Sequence, residues 1–228
     1  MLKSVLEFVE KQTAASLQQK KSFRAAWYNE WFRLFLSAYE PGAKVVYTSL
    51  YAFPMEILAA CDVIPFDFEV AGSIISSTDW GVPTMAEAES RGYSTDLCSF
   101  HRTDLGALCR NDFPVPDLLL TTSYYCDGKA KTNDIVAHLT GKESLLLYAP
   151  RETNADSIHY VAEQFRQIAG RVAEVAGHPF DEDRLKDAVR HSNRSRKSHL
   201  KLLDALKNRP SPWNGSESHC IRHQRKSL

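Results

Sequence analysis

Asp117-Leu118-Leu119-Leu120-Thr121-Thr122-Ser123, followed at once by Tyr124-Tyr125-Cys126-Asp127-Gly128, is the stretch on which the fold turns. Its apolar run is continuous instead of alternating, as in a strand buried on both faces. Asp127-Gly128 marks a turn, and Lys129 to Leu139 reads as a helix. Ser144-Leu145-Leu146-Leu147-Tyr148 then repeats the buried-strand pattern. Upstream, Lys44-Val45-Val46-Tyr47-Thr48-Ser49-Leu50 is β-rich, and Pro54 stands where helices like to begin, ahead of Met55, Ile57, Leu58, Ala59 and Ala60. Val63-Ile64-Pro65-Phe66 resumes an extended pattern, completing a strand–helix–strand unit. Strands alternating with helices predict an α/β fold, a mainly parallel sheet with helices on both faces.

The flanks read as helical. From Val5 to roughly Tyr39, Trp27, Trp31, Leu34 and Phe35 recur at three- and four-residue spacing, a packing face that Pro41-Gly42 ends. Gly72 to Arg91 is rich in Ser, Thr, Pro and Glu and predicts a loop containing a short helix near Thr84 to Glu89. Asp104 to Arg110 reads as a short helix. Ile158, Val161, Phe165, Ile168, Val172 and Val175 follow helical spacing, with Gly177 as the closing residue. Asp181 then caps a long helix with Glu182 and Asp183 in its first turn, where the helix dipole favours them, and Pro210 and Pro212 stop it. The expected organisation is an N-terminal helical segment over 1–40, an α/β domain over 41–152 and a helical segment over 153–212. A polar, basic tail over 213–228 is expected to be disordered.

Lys+Arg and Asp+Glu balance at 28 each, so the formal net charge is zero and no broad field attracts nucleic acid or an anionic membrane. The basic residues from Arg190 to Lys201 read as a solvated helix face. Apolar stretches are interrupted by Glu56 and Asp62 or are too short to cross a bilayer. The first ten residues carry Lys3, Glu7 and Glu10, with no uninterrupted apolar signal core, so a cytoplasmic protein without membrane or nucleic-acid partners is expected. The five cysteines are Cys61, Cys98, Cys109, Cys126 and Cys220. An odd number with no C-x-x-C pair argues against a disulfide framework and against a structural zinc site of ordinary spacing.

Two of these cysteines stand where chemistry is expected. In open parallel sheets, ligands bind at the carboxyl ends of the strands. Cys126 follows a predicted strand and precedes a predicted helix, and helix amino termini favour the thiolate that metals bind. Cys98, in Leu97-Cys98-Ser99-Phe100-His101-Arg102, also precedes a helix. Compact ferredoxin-like sites use tight cysteine clusters, and spacing alone makes two dispersed cysteines a weak metal signal. His101 beside Cys98 suggests a thiol–imidazole pair, but residues so near in sequence seldom meet in that geometry. Arg102 and Lys129 are candidate phosphate contacts, although isolated basic residues are usually surface. Dinucleotide, P-loop and nucleophile-elbow signatures are absent.

The order of these motifs resembles the 2-hydroxyacyl-CoA dehydratase and benzoyl-CoA reductase family. The matching pieces are Tyr47-Thr48-Ser49-Leu50, Pro54-Met55-Glu56-Ile57-Leu58-Ala59-Ala60 and Ser94-Thr95-Asp96-Leu97-Cys98-Ser99-Phe100-His101-Arg102. Thr121-Thr122 followed by Cys126-Asp127-Gly128 comes next, and then the long helices running to Arg209-Pro210-Ser211-Pro212-Trp213. The resemblance implies flavodoxin-like (Rossmann-like) α/β domains, two per subunit, paired in a heterodimer with a homologous partner subunit. It implies a 4Fe-4S cluster held by three cysteines, an ATP-dependent activator protein that feeds in one electron, and a CoA-thioester substrate reduced to a ketyl radical. Cys98 and Cys126 match the first two ligand positions, and Ser49 matches a segment that lines the substrate site. The third ligand comes, in the family, from a second α/β domain. This sequence ends before one, so a truncated gene, or a split gene completed by another chain, is expected. Cys220 lies in a basic tail unlike the family's continuation and is not assigned as a ligand; Cys61 and Cys109 are expected in the core.

Three readings follow. The first is an iron–sulfur subunit acting on CoA thioesters by one-electron reduction, in 2-hydroxyacyl-CoA dehydration or aromatic acyl-CoA reduction. The second is a non-catalytic α/β domain with inert cysteines. The third is a double-cubane-cluster relative reducing small molecules.

Overall fold

A computed structural model describes residues 1–19, 23–48, 53–124 and 126–212. Its centre is a four-stranded, wholly parallel sheet of β1 (Val45–Thr48), β2 (Ile64–Asp67), β3 (Leu118–Thr122) and β4 (Ser144–Leu147). The spatial order is β2-β1-β3-β4. The chain therefore leaves β1 toward one edge and returns to its other side for β3. That reversal opens a crevice at the carboxyl ends of β1 and β3, where ligands of doubly wound sheets bind.

The central strands are apolar throughout because alternate side chains enter two different cores. Val45, Tyr47 and Leu119 join Phe66, Phe68, Leu105 and Val136 on one face. Val46, Leu118 and Leu120 join Leu58, Cys61, Ile168 and Val172 on the other. The first face is covered by α2 (Phe23–Ser37), α4 (Phe68–Ser76), α6 (Ser99–Cys109) and α7 (Asp127–Thr140). The second is covered by α3 (Met55–Ala59) and α8 (Ala155–Ala176). Burial of Tyr47 leaves its hydroxyl satisfied, since it donates to the Pro114 carbonyl at 2.5 Å.

The α/β prediction is met, with differences in the flanks. The amino-terminal helical pattern resolves into α1 (Leu2–Gln19) and α2, which pack on one another; Asn29 Nδ2 in α2 donates to the Glu10 carbonyl in α1 at 3.2 Å. Gly72 to Arg91, predicted as a loop with one short helix, instead contains the end of α4 and all of α5 (Gly81–Ser90). Two close backbone approaches pack α5 against its neighbours. A Cβ on Gly81 would lie 2.9 Å from Ser76 Cα, and one on Gly106 would lie 1.8 Å from the Thr84 carbonyl oxygen. The predicted short helix at Asp104 begins earlier, at Ser99. The final helix, α9 (Glu182–Ala205), is capped by Asp181, whose Oδ1 accepts from the Asp183 and Arg184 amides. No described helix is long and apolar enough to cross a membrane.

Candidate functional site

The carboxyl edge of the sheet carries the starts of three helices. Asp67 ends β2 and caps α4, its Oδ1 accepting from the Val70 amide at 3.0 Å. Cys98 is the N-cap residue of α6, and its carbonyl accepts from the Arg102 amide at 3.0 Å. Cys126 is the N-cap residue of α7, and its carbonyl accepts from the Lys129 amide at 3.1 Å. An N-cap residue ordinarily spends its side chain on the helix's free amides. Neither cysteine does so, and both residues are exposed. At the same edge, the Thr48 and Thr121 hydroxyls, on β1 and β3, are buried without a hydrogen-bond partner among the described residues. Ser49, the expected substrate contact, and Cys220 lie outside the described residues.

The two cysteine-bearing helices meet through His101. It stands in the first turn of α6, three residues past Cys98, and its Nε2 lies 3.9 Å from Cys126 Sγ. The pairing of His101 with Cys98 suggested by sequence is thus not the contact that forms; the imidazole reaches across to the neighbouring helix. Burial and the nearby Lys129 cation hold the His101 pKa below its ordinary range, with Glu69 opposing. Gly128 makes room, because a Cβ there would lie 3.1 Å from His101 Nε2 and 3.6 Å from Cys126 Sγ.

Behind this pair lies a buried charged group that the sequence did not announce. Lys129, which its sequence context alone would leave on the surface, is 4% exposed. Its ammonium lies 2.9 Å from Glu69 Oε2, 3.8 Å from Asp104 Oδ2 and 3.9 Å from the centre of the Phe68 ring. Asp104 is fully enclosed; burial drives its pKa well above the ordinary carboxylate range, Lys129 pulls it down, and Glu69 and Asp67 push it further up. Lys129 is therefore committed to carboxylates, and Arg102 likewise pairs with Glu89, so neither is a free phosphate contact. Helical spacing carried part of the signal: Asp104 follows the buried His101 by three residues, so the two share the inward side of α6, whereas nothing local marks Lys129 as buried.

The donor set bears directly on a metal cluster. Among the described residues no group of three or more His, Cys, Asp or Glu side chains is arranged to hold a metal ion. Two exposed cysteines on adjoining helix amino termini fit part of an iron–sulfur site, whose ligands are characteristically thiolates. The other described cysteines do not join them. Cys61 is buried in the turn after α3, and Cys109 is partly buried at the end of α6; burial raises the pKa of each. On the α1 side of the molecule, α1, α2 and α4 enclose a cleft of about 730 Å³ whose walls include Trp27, Trp31, Phe32 and Phe100.

Comparison with known proteins gives this geometry a family. The model of the family described as 2-hydroxyglutaryl-CoA dehydratase, D-component, matches residues 50–224. The chain is 26% identical over 189 residues to the (R)-phenyllactyl-CoA dehydratase alpha subunit of Clostridium sporogenes, covering 79% of this chain and 46% of that one. It is 26% identical over 138 residues to a benzoyl-CoA reductase subunit of Thauera aromatica, covering 55% and 32% respectively. It is 25% identical over 177 residues to the (R)-2-hydroxyisocaproyl-CoA dehydratase alpha subunit of Clostridioides difficile, covering 73% and 43%. The chain spans less than half the length of these relatives. With the family match covering most of its residues, the two cysteine motifs at the edge of a parallel sheet belong to a member of the 2-hydroxyglutaryl-CoA dehydratase D-component family.

Proposed function

We propose that this chain is part of an iron–sulfur subunit acting on CoA thioesters by one-electron reduction, in 2-hydroxyacyl-CoA dehydration or aromatic acyl-CoA reduction. Cys98 and Cys126 are two ligands of a 4Fe-4S cluster, and the remaining ligation comes from outside the described residues. Ser49, next after β1 in sequence, contacts the substrate. A homologous partner subunit and an ATP-dependent activator complete the system, in the cytoplasm. The observation that carries the reading is the pair of exposed, non-capping cysteines heading two helices that His101 brings together.

When bound, the cluster supplies a single electron to the thioester. The chain's own contribution is to position and insulate. The α6 and α7 amino termini direct unpaired amides and the positive ends of two helix dipoles toward the thiolates, which lowers the cost of gathering negative charge there. The buried Lys129 adds a fixed cation beneath the same loop, held in place by Glu69. Thr48 and Thr121 offer hydroxyls to a ligand seated between β1 and β3.

Iron and acid-labile sulfide should be measured on anaerobically purified chain, alone and co-expressed with a family partner subunit, beside the Cys98→Ala, Cys126→Ala double variant. Cluster content that disappears in the variant is the expected result. Equal iron and sulfide in both proteins, or none in either under co-expression, overturns the reading and leaves a non-catalytic α/β domain.

A further inference from the structure

We propose that His101 is a positioning residue whose Nε2–H donates a hydrogen bond to the Cys126 sulfur, tying the helix that carries Cys98 to the loop that carries Cys126. Its role in tuning a cluster rests on the function proposed above; the hydrogen bond itself does not. Three observations carry it.

The first is enclosure. His101 is 3% exposed, and Nε2 faces Cys126 Sγ at 3.9 Å, within the longer reach of a hydrogen bond to sulfur. The second is the state of the other ring nitrogen. Nδ1 is buried and has no hydrogen-bond partner among the described residues. A neutral imidazole has one N–H and one bare nitrogen, and the partners decide which is which. Placing the proton on Nδ1 would strand a buried N–H and aim a lone pair at the sulfur. Placing it on Nε2 leaves only an acceptor unsatisfied, the milder defect, and gives the sulfur a donor. The third is the space made for the contact. Gly128 adjoins both partners, and a Cβ there would press on Nε2 at 3.1 Å.

The packing behind His101 keeps the ring in place. Lys129 of α7 reaches Glu69 at 2.9 Å and Asp104 of α6 at 3.8 Å and stands over the Phe68 ring, so α4, α6 and α7 are joined through buried side chains directly behind the imidazole. His101 therefore cannot swing away without opening that core. A donor to a ligand sulfur stabilises the more electron-rich, reduced state, and hydrogen bonds to sulfur are among the features that set cluster potentials. The consequence is a higher reduction potential than the same ligands would give without His101.

The test has two arms on the full chain. In the first, without iron, long-range 15N–1H NMR reads the His101 tautomer, assigned by its absence in His101→Gln. The expected result is an Nε2–H tautomer whose Nε2 signal moves in Cys126→Ala and in Gly128→Ala. An Nδ1–H tautomer, or a signal indifferent to both substitutions, overturns the proposal. In the second arm, the anaerobically loaded protein is titrated potentiometrically. His101→Met should shift the midpoint downward, and His101→Gln, which can offer an N–H near the Nε2 position, should restore it. Equal midpoints for wild type and His101→Met in loaded protein overturn the tuning role. If no cluster loads even with a family partner subunit co-expressed, the proposed function and the tuning role fall together, and the first arm still decides whether His101 donates to Cys126.

Discussion

At the scale of single residues, the buried group under the cysteine edge makes the sharpest demand. Asp104 has no hydrogen-bond partner among the described residues, and its counter-charge, Lys129, is closer to Glu69. Burial is the largest influence on its pKa and raises it. The folded state consequently keeps a proton that the unfolded chain releases above the ordinary aspartate range of about 3.9. The stability linked to that proton is fully present below the unfolded pKa and is lost as pH rises through the folded one. Asp104→Asn removes the titration while keeping the shape. Relative to wild type, the variant should gain stability as pH rises from about 4 toward neutrality, at no more than about 1.4 kcal/mol per pH unit. Urea denaturation of both proteins across that range checks this, and a difference that stays flat with pH would show that Asp104 is ionised in the folded state. None of this was legible from the residue itself: an aspartate on a short predicted helix reads as solvated, and only the packing of α4, α6 and α7 encloses it.

At the scale of elements, the strands were legible, whereas between β2 and β3 the sequence showed α5 and α6 only in part and α4 not at all. Continuous apolar runs at Leu118 to Leu120 and Leu145 to Leu147 announce strands, but only β3 is buried on both faces; β4, read as another buried strand, is the sheet edge with Leu146 47% exposed. The α4–α5–α6 layer is built differently, by close approach at Gly72, Gly81 and Gly106, and a glycine in a Ser- and Thr-rich stretch looks locally like loop. Gly106 carries the clearest consequence. A methyl group at this position would meet the backbone of Thr84 in α5, which cannot rotate aside as a side chain could. Gly106→Ala should destabilise the chain by about 1–3 kcal/mol or more through forced separation of α5 and α6, measured by thermal or urea unfolding. The opposite case is α9. No residue of this helix is buried, and it is docked through α3 and the Arg184–Asp62 ion pair. Its amides should exchange with solvent well ahead of those in α6 and β3 in hydrogen-exchange experiments, since exposed helices open locally without global unfolding. Asp181→Ala should accelerate that exchange further, by roughly the 1 kcal/mol expected of a lost N-cap. Protection in α9 equal to that in β3 would mean that a cover beyond the described contacts lies over it.

At the scale of the molecule, one sheet serves two cores and one edge. The candidate site depends on that sharing. Cys98 and Cys126 come from successive crossovers, β2 to β3 and β3 to β4, and they reach the same edge because α6 and α7 pack side by side on one face of the sheet. This is why the sequence sets His101 beside Cys98 and gives no sign of its contact with Cys126: each motif is local, whereas the His101–Cys126 contact exists only after α6 and α7 have packed. The same sharing predicts how the fold fails. Leu119 faces the core that contains Trp31 at its margin, and Leu120 faces the core of Leu58, Ile168 and Val172. Truncating either leaves a cavity, at a cost of about 2–5 kcal/mol for a buried leucine. If the two faces were independent, tryptophan fluorescence, governed largely by the α2 side, would register Leu119→Ala and overlook Leu120→Ala. Because both leucines are consecutive residues of one strand paired on both sides, loss of either face should dissolve the sheet and with it the other core. Both variants should therefore lower the urea midpoint seen by fluorescence, and amide exchange at Val172 should rise in both. A fluorescence transition unmoved by Leu120→Ala would separate the faces.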